Sequence, residues 1–286
     1  MIYLRILSLL LMLSQVCAYG QLTVNDPSEN ESIFNPDIIK SEGIKSATAH
    51  FSIKYDLEKI RKTNKRSIYL FDERGFVKKM IDIFPRRNSE DSTVTIFFRN
   101  KEGLITTKVK TDNRITQVEL LEYEEDKLVK HFFYQMGRTS KWNENLYNKF
   151  IIWADSLVDN DFGIGVYNRW DIMYKSYQLD RDENHNIIRF ATYSRTKQLQ
   201  QEKIFLYSDN RLVEISEENR NKYMFNWKKT FSYENGSINE IKYFKKGELQ
   251  YVRKLHYKSD GLIELDLKRN EETKKMTIVK FEYKKY

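Results

Sequence analysis

The sequence predicts a mainly β protein: an antiparallel meander in a large curved or two-layer sheet, with one inserted amphipathic helix near residues 141–158. Three observations carry this. From Ile44 onward the dominant pattern is alternation with a period of two, the mark of strands with one covered face. The chain lacks the unbroken apolar runs of a parallel sheet covered by helices. A turn unit built from an aromatic residue and a glycine or asparagine recurs along its length.

Composition sets the frame. With 286 residues, 40% hydrophobic and 14% aromatic, the chain has enough apolar material for a real core. Three prolines (Pro27, Pro36, Pro85) and 10 glycines exclude collagen-like and low-complexity readings.

The first element is an address. Met1 to Arg5 is a short basic start, Ile6 to Leu13 is apolar apart from Ser8, and Val16-Cys17-Ala18 supplies small residues for a signal peptidase. Residues 1–18 are therefore expected to be a signal peptide cleaved between Ala18 and Tyr19. The apolar run falls short of the ~20 residues of a spanning helix, and no later stretch approaches it, so no transmembrane span is expected in the mature chain. Cys17, the only cysteine, is either lipidated or lost with the signal, and Val16 before it favours loss. A mature chain without cysteine has no disulfide, thiolate metal site or cysteine nucleophile. An exported domain without disulfides suits a bacterial envelope.

Polar residues and two prolines make 19–43 a flexible leader. Residues 44–286 form the β-meander domain, with a helical insertion over 141–165. Leu249, Tyr251, Leu255 and Tyr257 share one parity and Gln250, Lys254, His256 and Lys258 the other, with Val252 and Arg253 breaking the rule. The pattern continues through Ile263, Leu265 and Leu267, and again through Val279, Phe281 and Tyr283.

The turn units are Phe71–Gly75–Phe76, Phe98–Gly103–Leu104, Tyr207–Asn210–Leu212, Tyr233–Gly236–Ile238, Phe244–Gly247–Leu249 and Tyr257–Gly261–Leu262. A tight hairpin needs positive φ at one or two residues, which glycine and asparagine tolerate. Each unit is thus one hairpin step. Phe71-Asp72-Glu73-Arg74-Gly75-Phe76, Tyr233-Glu234-Asn235-Gly236-Ser237-Ile238 and Tyr257-Lys258-Ser259-Asp260-Gly261-Leu262 resemble the YD/RHS-type repeats of bacterial surface proteins, and the β-meander of exported proteins in low-GC bacteria. The resemblance implies an exported β-repeat scaffold. Only Phe71-Asp72 keeps the aromatic-Asp pair, and the repeats are too few for the large toxin-enclosing RHS shell.

The helix is expected because Trp142, Leu146, Phe150, Trp153 and Leu157 are spaced by 4, 4, 3 and 4, a helical stripe, with Ser140 as N-cap. The glycine-bearing stretch Asp159 to Gly165 after it reads as a loop.

Chemistry-bearing motifs are sparse. There is no phosphate-cradling glycine loop, no Gly-x-Ser-x-Gly elbow and no His-Glu-x-x-His, and His50, His131, His185 and His256 have no ligand spacing. The weakest of metal candidates is Asp180, Asp182 and Asn184, which has the alternating oxygens of a calcium loop but His185 at its glycine position. A polar hairpin turn between Leu179 and Ile187 accounts for the same residues. Asp159 and Asp161, with Asp155 and Asp171 nearby, could form an acid/base pair for glycoside hydrolysis, although close carboxylate pairs also arise by chance in a chain this acidic. No catalytic residue and no cofactor is expected.

The net charge is +8, and losing residues 1–18 removes only Arg5, leaving +7. Lysines alternating with glutamates read as the wet face of a sheet. Lys280, Glu282 and Lys284 share parity with Tyr286, so the final aromatic does not close a lipid-facing strand, and an outer-membrane barrel is set aside. The expected function is a non-enzymatic exported binding or assembly protein of the cell envelope, periplasmic or extracellular. The alternative is a lipid- or glycan-binding carrier using a concave aromatic face, and a carboxylate hydrolase ranks last. Partners would be an envelope protein, an anionic glycan or a lipid headgroup, not nucleic acid.

Overall fold

The computed structural model describes residues 33–286 except 87–88, 125–126, 138–150, 161–162, 169, 185 and 221–224. Among these residues the chain forms one short helix, α1 (Pro36–Ser41), and eighteen strands. The first nine are β1 (Ile44–Lys54), β2 (Arg61–Phe71), β3 (Val77–Pro85), β4 (Glu90–Arg99), β5 (Ile105–Thr111), β6 (Ile115–Glu124), β7 (Lys127–Gly137), β8 (Ile151–Asn160) and β9 (Gly163–Asn168). The rest are β10 (Met173–Arg181), β11 (Ile187–Ser194), β12 (Leu199–Ser208), β13 (Arg211–Asn219), β14 (Trp227–Glu234), β15 (Ser237–Lys245), β16 (Glu248–Tyr257), β17 (Ile263–Asn270) and β18 (Met276–Lys285).

Each strand pairs antiparallel with its sequence neighbours, as a meander requires, and β18 then pairs with β1 through Phe281↔Ala49 and Tyr283↔Ala47. The sheet is therefore rolled into a ring, which removes its edges. Seam contacts reinforce the closure: the Tyr286 backbone N–H donates to Gly43 O at 3.0 Å, and Lys285 pairs with Glu42 at 3.0 Å.

The hairpins have the predicted chemistry. Asn210, Gly236 and Gly247 have positive φ, as do the residues before them, Asp209, Asn235 and Lys246: two-residue I′-type turns. Gly75, Gly103 and Gly261 are single left-handed residues in longer turns. After most turns a bulge follows. The pairs Leu70↔Lys79 and Phe71↔Val77 leave Lys78 extra, and His256↔Leu265 with Tyr257↔Ile263 leave Glu264 extra. Inward residues are thus spaced by three and then two, as in Val77, Met80, Asp82 and Ile263, Asp266, Lys268.

This bulge corrects one parity assignment. Ile263 faces inward, but Leu265 and Leu267 pair with His256 and Lys254 on the outer face, while Asp266 pairs with Leu255 inside. Val279, Phe281 and Tyr283 share the inner face as expected.

The expected helix over 141–158 is also corrected. Residues 151–158 belong to β8, held between β7 (Phe133↔Trp153) and β9 (Leu157↔Val166), and the remainder of the segment lies outside the described residues. Ile151, Ile152 and Val158 are β-branched and favour a strand, and two flanking strands supply the ladder that overrides the helical spacing. Of the loop expected over 159–165, residues 163–165 open β9.

Residues 33–43, grouped by composition with the leader, belong to the folded body. Asn35 caps α1, its Oδ1 accepting from the Asp37 N–H at 2.9 Å, and Pro36 stands in the first turn. Phe34 packs edge-on against Tyr69, Phe71 and Phe281, at 4.9, 5.1 and 5.7 Å between ring centres. With Ile39 it joins a core drawn from β1–β3, β17 and β18. A second core runs around the ring through β11–β16.

The outer face is not uniform. On β14–β18 it carries Lys228, Glu240, Lys242, Lys254, Lys280 and Glu282, the wet pattern predicted. On β3–β7 it is apolar instead, through Ile81, Ile96, Val109, Val118 and Tyr134. No helix among the described residues is long and apolar enough to cross a membrane.

Candidate functional site: a cation–aromatic face inside the ring

The strongest concentration of chemistry lies on the inner face of β12–β17. Cross-strand register assembles it. Lys203↔Glu217↔Trp227 forms one row, Lys229↔Tyr243↔Tyr251 the next, and Arg253↔Lys268 a third. Residues facing each other across a ladder share a face, so these side chains meet although they are spread over 203–268.

Two ion pairs frame the site. Arg253 grips Asp266 with both guanidinium donors, Nε to Oδ1 at 2.9 Å and Nη2 to Oδ2 at 2.7 Å, and Lys203 lies 3.4 Å from Glu217. Between them the Tyr243 and Tyr251 rings stack with centres 5.0 Å apart and planes 19° from parallel. Trp227 extends the run at 6.1 Å from Tyr243. Cations flank the rings: Lys268 Nζ is 4.0 Å from the Tyr251 centre, and Lys229 Nζ is 5.3 Å from Trp227 and 5.8 Å from Tyr243.

Electrostatics follow from this crowding. Lys229 is only 4% exposed. Burial, with Lys268, Lys203 and Arg253 nearby, pushes its amine down to about 7 despite the opposing Glu217. Burial and Arg253 also lower Lys268, against Asp266. Burial pushes the Tyr251 phenol up to about 12 and raises that of Tyr243, so both hydroxyls stay protonated and can donate.

The residues singled out from sequence do not join this site. Asp182 serves its hairpin: Oδ1 accepts from the Asn184 and Asn186 backbone N–H groups at 2.9 and 2.8 Å, and Oδ2 from the Asn186 side chain at 3.0 Å. Asp180 points outward to Arg189 at 3.0 Å, so the three candidate oxygens do not converge. Among the described residues no group of three acidic, histidine or cysteine side chains could hold a metal ion. Asp171 sits exposed in the turn before β10 with φ +56°. Asp161, His185 and the cleavage residues Ala18 and Tyr19 lie outside the described residues, as do the side chains of Asp155 and Asp159. His131 approaches Glu119 at 3.7 Å on the inner face of β6 and β7, and His50 approaches Glu282 at 3.5 Å outside.

No protein-family model matches the chain, and no curated protein matches it in sequence. Several solved structures align with the chain at low scores. A porin-like protein from Bacteroides uniformis aligns at 10% identity over 85% of this chain and 97% of its own, with a TM-score of 0.43. The TcdB2-TccC3 structure aligns at 11% identity over 76% of this chain but 12% of its own, at 0.32. A LolA superfamily protein from Nitrosomonas europaea aligns at 8% identity over 87% of this chain and 92% of its own, at 0.16. Such scores assign neither family nor function.

Proposed function

We propose that the protein is a non-enzymatic binding or assembly module of the cell envelope, exported by residues 1–18, with its ligand seated on the inner cation–aromatic face. The observation that carries this is the enclosed cluster of Lys203, Lys229, Arg253 and Lys268 around Trp227, Tyr243 and Tyr251. Both carboxylates of the cluster are engaged by cations, Glu217 by Lys203 and Asp266 by Arg253. With its carboxylates so occupied, the cluster presents ammonium, guanidinium and phenol donors, which suits holding an acidic partner. The aromatic–glycine units, which resemble YD-type repeats, serve on this reading as the scaffold.

The test is a screen of the purified mature protein. Thermal shift against anionic glycans, anionic lipid vesicles and neutral glycans should find stabilisation by an acidic ligand. Incubation with glycan, peptide and ester substrates should find no turnover above a denatured control. Reproducible turnover would overturn the reading.

A further inference from the structure

We propose that one rim of the ring docks on an anionic lipid bilayer, its exposed apolar turn residues entering the headgroup layer among basic side chains. This surface lies apart from the inner cation–aromatic face and goes beyond the binding reading above.

Topology sorts the turns. In a closed antiparallel meander successive turns alternate between the two ends of the ring, so the turns β1–β2, β3–β4 and onward to β17–β18 share one rim. The turns β2–β3 to β16–β17 share the other rim with α1. The two rims differ in apolar exposure. On the first, Tyr55, Leu57 and Ile60 follow β1, Trp170 and Ile172 precede β10, and Phe225 precedes β14, all of them exposed. On the second, the apolar turn residues Phe76, Leu104 and Leu262 are half-buried or buried, and Tyr286 is the exposed large hydrophobic among the described residues. Exposed apolar residues scattered singly need no explanation, but their gathering on one rim does. Leu57 combines two costs, a fully exposed side chain and a left-handed backbone with φ +66°. Contact with lipid offsets the first.

Charge divides the same way. Among the described turn residues the first rim has nine basic and six acidic side chains, and the second has three basic and seven acidic. Strand arginines take up acids of the first rim, Arg269 pairing with Asp56 at 3.0 Å and Arg61 with Glu58 at 2.8 Å. Two ammonium groups flank the exposed Phe225 ring, Lys245 Nζ at 4.3 Å and Lys246 Nζ at 4.1 Å from its centre. An apolar tip beside lysines suits a headgroup layer, with the ring below the phosphates and the ammonium groups level with them.

The spread of the tips favours a flat surface. The three apolar turns lie eight, four and six strands apart around the ring. Points so distributed rest together on a bilayer, whereas a compact partner engages one arc. A second copy stacked head to tail would bring acidic turns to this rim. Among the described residues of those turns it would bring no exposed aliphatic side chain to meet Leu57 and Ile60.

Co-sedimentation of the mature protein with vesicles tests this, comparing mixed phosphatidylglycerol and phosphatidylcholine with phosphatidylcholine alone. The mixed vesicles should bind the protein more tightly, and added salt should weaken that binding. Leu57→Asn should weaken it roughly tenfold, the loss of one lipid-buried aliphatic side chain. The same variant should not lower the thermal midpoint, because asparagine accepts the left-handed backbone. Lys246→Glu should also weaken binding roughly tenfold by reversing a charge at the headgroups. Lys101→Glu, the same reversal on the opposite rim, should leave it unchanged. Absence of binding to mixed vesicles would overturn the proposal, as would equal binding to both kinds. Binding that ignores both Leu57→Asn and Lys246→Glu would overturn it too. Self-association without lipid that Lys246→Glu abolishes would instead give this rim to a second copy.

Discussion

The Tyr257 hydroxyl donates to the carbonyl of Ile238 at 2.9 Å, tying the end of β16 to the start of β15. The same latch recurs from Tyr233 to Leu212 at 2.8 Å, from Tyr283 to Ile263 at 2.8 Å and from Tyr123 to Ile105 at 3.0 Å. In each case the acceptor opens a strand that has just left a turn, beside the bulge that disturbs its ladder. At Tyr233 and Tyr257 the aromatic before the turn thus stitches one hairpin to the next.

Removing a latch should cost stability without altering the fold. Tyr257→Phe and Tyr233→Phe are each expected to lower stability by about 1 kcal/mol, the net worth of a hydrogen bond. Tyr286→Phe should be near neutral, since that tyrosine is exposed and its hydroxyl reaches Phe71 O only at 3.5 Å. Urea unfolding midpoints of the three variants decide this. Equal midpoints would remove the latch from the account of the repeat.

The turns were legible in the sequence because positive φ restricts the residues that can occupy them, and all six named glycines and asparagines adopt it. Ring closure was not, because pairing of β1 with β18 joins residues more than two hundred positions apart and leaves no local signal. Over 151–157 the helical spacing misled because a period near 3.6 over few residues also fits a strand whose neighbours supply the ladder. The cation–aromatic face was hidden by the bulges. Arg253 stood out as a break in alternation, yet Asp266 and Lys268 fall into line with it only when the extra Glu264 is counted. Asn35-Pro36 before Lys40 and Gly43 is a complete helix signature, and could have placed α1.

Gly75 is where α1 and the β2–β3 hairpin meet. Its φ is +87°, and a Cβ there would collide with the Pro36 carbonyl. Gly247 has a similar φ of +81° but open space around it. Gly75→Ala should therefore be the more damaging, since it adds displacement of α1 to the backbone strain of ~1 kcal/mol that both variants share. Thermal midpoints should fall further for Gly75→Ala than for Gly247→Ala. The reverse order would mean that α1 does not bear on the turn.

Phe34 tests whether residues 33–43 contribute to stability. It is buried among three aromatic rings from β2 and β18. Phe34→Ala should destabilise the protein by about 3–5 kcal/mol, as expected for truncating a buried phenylalanine. A small effect of Phe34→Ala would return this stretch to a passive leader.

Lys229 sets a pH dependence of fixed sign. Its folded value of about 7 lies below the ordinary 10.5, so between them the unfolded chain binds the proton more tightly. Stability from this group therefore rises with pH across that window, by at most ~1.4 kcal/mol per unit. The penalty is complete below about 7 and gone above 10.5. The groups that set it share its inner face: Glu217 on the adjacent β13, and Lys203 on β12, Arg253 on β16 and Lys268 on β17 farther around the sheet. Lys229→Met keeps the length of the side chain and removes the charge. Without ligand, this variant should be more thermostable than wild type at pH 6, and its advantage should shrink steadily towards pH 10. Groups remote from Lys229 titrate equally in both proteins, so the difference reports Lys229 together with the cations coupled to it. An advantage that stayed constant across this range would mean the amine is not being discharged by its surroundings. A saturating acidic ligand should also narrow the gap at pH 6, because an anion beside Lys229 stabilises the ammonium that the empty face disfavours.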